Sequence, residues 1–150
     1  MQTSFLRWAG SKKKLLSKLL PYWNAENYDR YVEPFAGSAM LYFSAKPSRA
    51  LLADTNAELI NMYRAVKRDW ESGLFELRKW KPDEKTYYKI RDVEDLKDWS
   101  VFKRAARFIY LNRFCFNGLY RTNAKGKFNV PYALETTRKL PTKKEMREFA

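Results

Sequence analysis

A short segment near the start of the chain combines a strand pattern with a tight turn of small residues. Residues 31–38 read YVEPFAGS, and a single acid, Asp54, follows about twenty residues later. In α/β domains, a turn and an acid at this spacing lie at the ends of neighbouring strands. The backbone of the turn and a carboxylate oxygen then hold an adenosine and its ribose hydroxyls. The pattern therefore predicts a pocket for the adenosine half of a cofactor.

Strand and helix patterns around the turn would bring these two parts together. Residues 54–56 (DTN) offer several helix N-caps, and apolar residues follow at helical spacing, namely Leu59, Ile60, Tyr63 and Val66. The predicted elements are a helix at 12–23, a strand at 31–35, a helix at 39–45, a strand at 50–53 and a long helix that reaches Arg68. From residue 31 onward they form one β-α-β-α unit, with its crevice at the carboxyl ends of the strands.

The chain changes character after Trp70, where aromatic and basic residues become frequent. Thr142 and Glu145 form a capping-box pattern, which predicts the start of a further helix. In this half we predict helices at 74–80, 86–91 and 101–114. A loop or hairpin is predicted at 118–132. We divide the chain into an α/β portion at 1–69, a helical region with a hairpin at 70–135, and a return towards the first domain at 136–150.

The charge of the chain indicates a polyanionic partner. Thirty Lys and Arg residues against seventeen Asp and Glu residues give a net charge of +13 over 150 residues. The basic residues are spread along the chain and do not form a tail, which favours a folded nucleic-acid-binding surface over an anionic membrane surface. A basic protein whose charge serves only solubility is the alternative that charge alone leaves open.

Several kinds of site are excluded by composition. The chain contains no histidine, which removes histidine general-base chemistry and most zinc and non-haem iron sites. The single cysteine, Cys115, excludes an internal disulfide and a cysteine-rich metal cluster. Residues 1–10 lack the apolar core of a signal peptide, and no run is as long as a membrane span. We therefore predict a cytoplasmic protein with no metal and no membrane partner.

Taken together, the motifs resemble those of the Dam-type DNA adenine N6-methyltransferases. The similar segments are residues 5–12 (FLRWAGSK), 31–38, 54–61 (DTNAELIN), 116–121 (FNGLYR) and 126–132 (GKFNVPY). They correspond, in order, to the family's amino-terminal cofactor motif, its glycine turn, its acidic motif and the two parts of its target-recognition hairpin. Ser11 stands where the family usually has glycine. The resemblance implies an α/β fold with a Rossmann-like S-adenosylmethionine-dependent methyltransferase sheet, incomplete in this chain, and a helical target-recognition insertion with a β-hairpin.

The resemblance implies that Trp8, Lys12, Phe35 and Asp54 bind S-adenosylmethionine. Asp54 would accept hydrogen bonds from both ribose hydroxyls, and Phe35 would line the pocket. Lys12 would meet the methionine carboxylate as a point charge, and Trp8 would offer its ring face to the cationic sulfonium. Each residue also has a structural interpretation: Trp8 as a core aromatic, Lys12 as a solvated lysine and Asp54 as a helix cap. Their joint occurrence favours the site.

For double-stranded DNA, the resemblance implies contacts from Phe116, Asn117, Leu119, Arg121 and Pro131. Arg121 would pair bidentately with a guanine edge in the major groove. Phe116 would wedge into the base stack where an adenine is flipped out, and burial at the end of the preceding helix is its alternative.

Two basic residues and one departure from the family pattern bear on the DNA contacts. We expect Arg104 and Arg107 to contact phosphates or solvent, which adds affinity without sequence information. The family has Gly-Arg after the Pro-aromatic pair, whereas this chain has Ala133 and Leu134. This difference affects one expected DNA contact and the sequence that would be recognised.

The residues that would receive the adenine are not in this chain. The family's catalytic motif, Asp-Pro-Pro-Tyr, is absent from the 150 residues, and we name no catalytic residue. Residues 129–132 (NVPY) look similar but lack the first proline and align with the recognition hairpin. We therefore hypothesise the amino-terminal part of a site-specific DNA adenine methyltransferase, completed by a carboxyl-terminal part or a second polypeptide. The alternative is a non-catalytic DNA-binding module of the same fold.

Overall fold

The computed structural model describes residues 4–23, 26–134 and 138–150. Within these ranges the helices are α1 (Leu16–Leu19), α2 (Met40–Ala45), α3 (Ala57–Arg78), α4 (Glu84–Arg91), α5 (Val101–Phe114) and α6 (Lys143–Phe149). Short 3-10 helices cover Lys12–Leu15, Leu20–Tyr22 and Phe116–Gly118. No helix of the described residues is long and apolar enough to cross a membrane.

The strands β1 (Tyr31–Glu33) and β2 (Ala50–Leu52) form a small parallel sheet. Tyr31 pairs with Ala50 and Glu33 with Leu52. Both predicted strands are confirmed, although β1 ends at Glu33 because the chain enters the turn at Pro34. Helix α2 lies between the two strands in the chain, as a parallel connection requires. The fold is thus mixed α/β, as predicted.

The predicted helix at 12–23 is present in a more irregular form. Its first and last turns are 3-10 helices, and only the four residues of α1 are α-helical. Pro21 lies in the first turn of the last segment, where the missing amide of proline does not break a helical hydrogen bond. The sequence pattern predicted the helical periodicity but not the change of helix type.

Helix α3 is bent at Asp69, whose backbone is extended (φ −162°, ψ 88°). The side chain of Asp69 accepts hydrogen bonds from the amide and hydroxyl of Ser72, so it caps the second half of the helix. The long helix to Arg68 and the separate helix predicted from Leu74 are therefore two parts of one bent element. The second part ends at Arg78, close to the predicted end.

The hydrophobic core lies mainly between α3 and α5, which pack along each other. Its largest fully buried side chains include Met62 on α3, Tyr87 on α4 and Tyr110 and Phe114 on α5. Residues from both sides of the predicted boundary at 69/70 contribute to this core. The division into 1–69, 70–135 and 136–150 stays a prediction.

The segment after α5 folds back on itself as an irregular antiparallel hairpin. Isolated bridges join Cys115 to Tyr132 and Thr122 to Phe128. The turn at Gly118 has a positive φ of 64°, and a Cβ atom there would overlap the Cβ of Arg7. A side chain at residue 118 would therefore separate the hairpin from the amino-terminal segment.

Helix α6 begins with the capping box that the sequence predicts. The Thr142 hydroxyl accepts a hydrogen bond from the backbone amide of Glu145. In return, the Glu145 carboxylate accepts a hydrogen bond from the backbone amide of Thr142. Met146 and Phe149 are buried, and the ring of Phe149 stacks on Phe43 at 4.6 Å between centroids. Packing of this apolar face stabilises a helix that is too short to be stable alone.

Candidate functional site

A cavity of about 240 Å³ lies at the carboxyl end of β1, where the sequence predicts the cofactor pocket. The four residues expected to bind the cofactor all line it. Its walls are formed by the segment 8–12, the turn 35–38, Met40 and Asp54. The structure therefore brings together Trp8, Lys12, Phe35 and Asp54, which come from three separate parts of the chain.

Asp54 closes the turn after β1 by accepting two backbone hydrogen bonds. Its Oδ2 accepts from the amide of Gly37 at 2.9 Å, and its Oδ1 accepts from the amide of Asn56 at 3.0 Å. The N-cap of α3 is Asn56, whose Oδ1 accepts from the amide of Leu59 at 3.1 Å. Each carboxylate oxygen of Asp54 keeps a second lone pair for a further donor.

Trp8 packs directly against the turn and also against the core. Gly37 has a positive φ of 49°, and a Cβ atom there would lie 2.8 Å from the Cδ1 and Nε1 atoms of the indole. The indole stacks on Phe108 and Tyr120, with centroid distances of 6.2 and 5.9 Å. Trp8 is thus a partly buried aromatic that also forms a wall of the cavity, so the two interpretations of this residue coexist.

Lys12 is tied to the end of β1. Its Nζ donates to the carbonyl oxygen of Phe35 at 2.9 Å and lies 2.9 Å from Oε1 of Glu33. The Glu33 side chain is almost fully buried, and its Oε2 accepts from the Tyr31 hydroxyl at 2.9 Å. Burial, together with this carboxylate, raises the pKa of Tyr31 well above its ordinary value. Lys12 is therefore neither freely solvated nor an unpaired cation.

Phe35 differs from the other three cofactor candidates because its side chain is mostly exposed. Its relative exposure is 74%, although it borders the cavity. An aromatic ring at the rim of a pocket can cover a bound ligand while one face stays in water.

Sequence reasoning missed two polar residues at this site. Glu33 appeared only as a letter of the turn motif, and Tyr63 only as one of the apolar residues on its helix. The Tyr63 hydroxyl donates to the carbonyl oxygen of Gly37 at 2.7 Å, which fixes the turn from the α3 side. Burial, with Glu33 and Asp54 nearby, raises the pKa of Tyr63 well above its ordinary value, so the hydroxyl stays a donor. The place of Glu33, directly before the turn, was the one available signal.

A larger cavity of about 810 Å³ lies beside the first one and shares part of its wall. Trp8 lines both cavities, and Asn117 lines the larger one. The basic residues around it are Arg7, Lys13, Lys14 and Arg113, and the acidic ones are Glu145 and Glu148. One cofactor candidate, Trp8, and one DNA candidate, Asn117, therefore line the same larger cavity, whose mainly basic rim suits a phosphate backbone.

The residues expected to contact DNA lie on the hairpin and the turn before it. Phe116 is 50% exposed, so burial at the end of α5 is not its role in this structure. Asn117, Arg121 and Pro131 are exposed, and Leu119 is partly buried. Asn117 has a left-handed backbone (φ 53°), which turns the chain sharply after Phe116. Four of the five candidates are thus accessible to a macromolecule.

Arg121 is oriented by its neighbour across the hairpin. Its Nε donates to Oδ1 of Asn129 at 2.8 Å, and its Nη2 lies 3.4 Å from the Asn129 carbonyl oxygen. Holding the guanidinium in place lowers the conformational entropy that it would lose on binding a ligand.

The expectation that Arg107 contacts phosphates or solvent is wrong. Arg107 is buried, and its guanidinium donates to the carbonyl oxygens of Ile90 and Arg91 at 2.9 and 2.8 Å. These bonds satisfy the carboxyl end of α4, and burial lowers the pKa of Arg107. Arg104 forms an ion pair with Glu58 on α3. Both side chains therefore tie α5 to neighbouring helices, a role that composition alone could not separate from DNA binding.

Comparison with known proteins identifies the family. Residues 8–150 match the family described as D12 class N6 adenine-specific DNA methyltransferase. The Type II methyltransferase M.MjaIII of Methanocaldococcus jannaschii is 37% identical, with 85% of this chain and 51% of that protein aligned. The DNA adenine methylase of Vibrio cholerae is 37% identical over 87% of this chain and 48% of its own length. The retron Ec67 DNA adenine methylase of Escherichia coli is 36% identical over 99% and 52%.

The chain spans about half the length of the curated relatives it matches. The family match covers nearly all of it and includes both the cofactor candidates and the hairpin. The resemblance inferred from the sequence motifs is confirmed. The chain belongs to the D12 class N6 adenine-specific DNA methyltransferase family.

Proposed function

We propose that this chain is the cofactor-binding and target-recognition part of a site-specific DNA adenine N6-methyltransferase. The observation that carries the proposal is the arrangement of Asp54, Gly37 and Trp8 around one cavity, with Trp8 also in the wall of a second cavity that Asn117 lines. A pocket suited to an adenosine thus lies next to an exposed basic hairpin. The net charge of +13 supports DNA as the macromolecular substrate.

The residues of the pocket fit S-adenosylmethionine. The cofactor supplies a methyl group on a cationic sulfur. Asp54 keeps lone pairs for the ribose hydroxyls, and Trp8 presents a ring to the cation. Glu33 holds Lys12 beside the cavity, with Oε1 of Glu33 2.9 Å from Nζ of Lys12. We infer a Rossmann-like crevice for the whole cofactor.

The hairpin would position the DNA. Arg121 reads a guanine edge, while Asn117, Leu119 and Pro131 contact bases and backbone. Phe116 occupies the gap in the stack when the adenine flips out. In this proposal 70–135 serves as the helical target-recognition insertion.

The remaining half of the protein would add strands to β1 and supply the Asp-Pro-Pro-Tyr motif. The backbone hydrogen-bonding groups of Tyr31 and Glu33 point towards β2. The N–H and C=O groups of Val32, which lies between them, therefore point to the opposite edge of the sheet. Among the described residues, no strand pairs with that edge. Val32 and Phe35 are also exposed, as expected for a surface that another segment covers. A second polypeptide or a carboxyl-terminal continuation would complete the sheet.

A binding experiment tests the cofactor site in the chain as it stands. Asp54→Asn keeps the size of the side chain but places an amide against a backbone N–H, so we expect S-adenosylmethionine affinity to fall about tenfold or more. Asp83→Asn is the matched control, because Asp83 accepts from the amide of Thr86 at the start of α4 and asparagine offers an equivalent oxygen. Calorimetric titration of both variants should separate them. Equal affinity of Asp54→Asn and wild type would contradict the assignment of the pocket.

Transfer of a tritiated methyl group to unmethylated DNA tests the activity. The assay is run with the chain alone and with a polypeptide that carries the second half of a relative, including Asp-Pro-Pro-Tyr. We expect transfer only in the second case. DNA and cofactor binding without transfer in both cases would favour the non-catalytic alternative.

A further inference from the structure

The side chain of Tyr120 lies between the cofactor pocket and the hairpin. Its ring stacks on Trp8 with a centroid distance of 5.9 Å and an angle of 25° between the planes. It also stacks on Phe108 of α5 at 5.6 Å and contacts Phe128 of the hairpin at 5.5 Å. One aromatic ring therefore touches a wall of the cofactor cavity, the central helix and the recognition segment.

Tyr120 reaches the pocket by a second route, through its hydroxyl. The hydroxyl lies close to the side chain of Asn56, and burial raises the pKa of Tyr120 although Asn56 acts in the opposite direction. Asn56 is the N-cap of α3, and its backbone N–H donates a hydrogen bond to Oδ1 of Asp54. The same tyrosine is thus linked to Trp8 on one side of the pocket and to Asp54 on the other.

On the hairpin side, Tyr120 is continuous with the residue expected to read DNA. Arg121 follows it directly and is held by Asn129, while Phe128 precedes Asn129. The bridge between Thr122 and Phe128 joins the two limbs at this level. A shift of the hairpin backbone at Arg121 on meeting a base would therefore move the Tyr120 ring against its neighbours or be resisted by them.

We propose that Tyr120 is a positioning residue that couples cofactor binding to DNA binding in this protein. The inference rests on the proposed function, since it requires that both ligands bind. A ligand that orders Trp8 from the pocket side also orders the Tyr120 stack. The protein then loses less conformational entropy when the second ligand binds. The coupling is positive and reciprocal: each ligand tightens binding of the other by the same factor.

A purely structural role for Tyr120 makes a different prediction. Replacing a ring that only fills the core would lower the stability of the protein and weaken the binding of each ligand independently. The ratio between the dissociation constants with and without the other ligand would not change. That ratio, the coupling factor, is therefore the quantity to measure.

The experiment uses the full chain, S-adenosylhomocysteine as the cofactor probe and unmethylated plasmid fragments as DNA. The dissociation constant of each ligand is measured by titration in the absence and in the saturating presence of the other. For wild type we expect a coupling factor of about fivefold or more, equal in both directions. For Tyr120→Leu we expect a factor close to one, because the stack and the hydroxyl are both lost.

Tyr88→Leu is the matched control. Tyr88 is also a partly buried tyrosine packed against the core, but its ring contacts lie with Tyr87 and Arg91 on α4. This variant should keep the wild-type coupling factor. If Tyr120→Leu does not fold, as judged by circular dichroism, Tyr120→Met replaces it, because methionine fills the space without a flat ring or a hydroxyl.

The outcomes separate the inference from the function on which it rests. A wild-type factor of one, or a factor that survives in Tyr120→Leu or Tyr120→Met, overturns the coupling while leaving the proposed function in place. Loss of the factor in Tyr88→Leu also overturns it, because coupling would then depend on general packing. Failure of wild type to bind either ligand overturns the proposed function and the coupling with it.

Discussion

Trp8 lies so close to Gly37 that a Cβ atom at residue 37 would be 2.8 Å from two atoms of the indole ring. The turn after β1 and the amino-terminal segment therefore fit together only with glycine at this position. Because both residues line the candidate cofactor cavity, the contact defines the shape of that cavity. A change at one of them must displace the other.

Gly37→Ala should weaken cofactor binding by about tenfold or more, because it displaces the indole and distorts a positive-φ turn. Gly126→Ala is the matched control: Gly126 also has a positive φ (73°), but no atom lies within 4 Å of its missing Cβ. Both variants should lose about 1–2 kcal/mol of stability from backbone strain. Titration with S-adenosylhomocysteine should then show a loss of affinity only for Gly37→Ala. Equal cofactor affinities of the two variants would contradict the steric account.

Arg121→Ala should relax DNA sequence preference by about 1–3 kcal/mol at one base pair. Arg121→Lys should not restore it, because lysine cannot make the planar bidentate contact with guanine. Sequencing the DNA that each variant retains from a random pool measures the preference. Arg78→Ala, at the exposed end of α3, is the control and should leave the preference unchanged. A uniform loss of affinity for all sequences would instead assign Arg121 to a phosphate.

Cys115 should react very slowly with thiol reagents in the folded protein. The thiol is buried, its Sγ contacts the Leu119 carbonyl oxygen at 3.4 Å, and burial raises its pKa to about 11. On the order of one thiol in a thousand is then ionised at pH 8, and the thiolate is the reactive form. Reaction should become fast in denaturant, where the thiol has its ordinary pKa. Because the chain has one cysteine, the signal is unambiguous.

The same shift predicts a loss of stability at alkaline pH. The pKa of the folded thiol is raised, so its contribution is fully present below the unfolded pKa and is lost as pH rises towards 11. Cys115→Val, which has no titratable group, should remove this part of the alkaline dependence. Denaturant titrations across this pH range measure it. An identical alkaline dependence in Cys115→Val and wild type would show that other groups cause the loss.

Thr142→Ala should destabilise the protein by about 1 kcal/mol, since it removes the cap of α6. The amide of Thr142 and, to a smaller extent, its hydroxyl donate to Glu145 and hold the pKa of Glu145 below its ordinary value; the variant loses the part due to the hydroxyl. The contribution of Glu145 is therefore present above the ordinary glutamate pKa and is lost as pH falls through the lowered one. Ser100→Ala is the control, because Ser100 caps α5 without an acidic partner. It should cost a similar amount without this acid dependence, as chemical denaturation can show.

Local features of the fold could be predicted from the sequence. The bounds of α5 and the capping box of α6 are both as predicted, because hydrogen bonds within three or four residues define them. The helix end at Arg68 was also predicted, but the direct continuation of the helix after Asp69 was not. Whether the chain leaves the helix after Arg68 or continues it beyond a bend depends on how α3 packs against α5.

The candidate site was predicted in part. The sequence motifs identified Trp8, Lys12, Phe35 and Asp54, and the structure places all four around one cavity. The partner of Lys12 could not be predicted, since Glu33 lies in a strand whose alternate residues face opposite sides. Only the orientation of β1 shows that this carboxylate meets the lysine.

Sequence motifs were enough to infer the family, the order of the strands and helices, and the residues of the turn after β1, because these features follow from motifs and from short-range hydrogen bonds. Tertiary structure decided which distant residues meet. Arg7 and Asn112, which are 105 residues apart, exchange two hydrogen bonds, and Arg107 is buried against the end of α4. Tyr120 joins the pocket to the hairpin in the same way. Such contacts depend on how all elements pack around one core, and no local pattern records that.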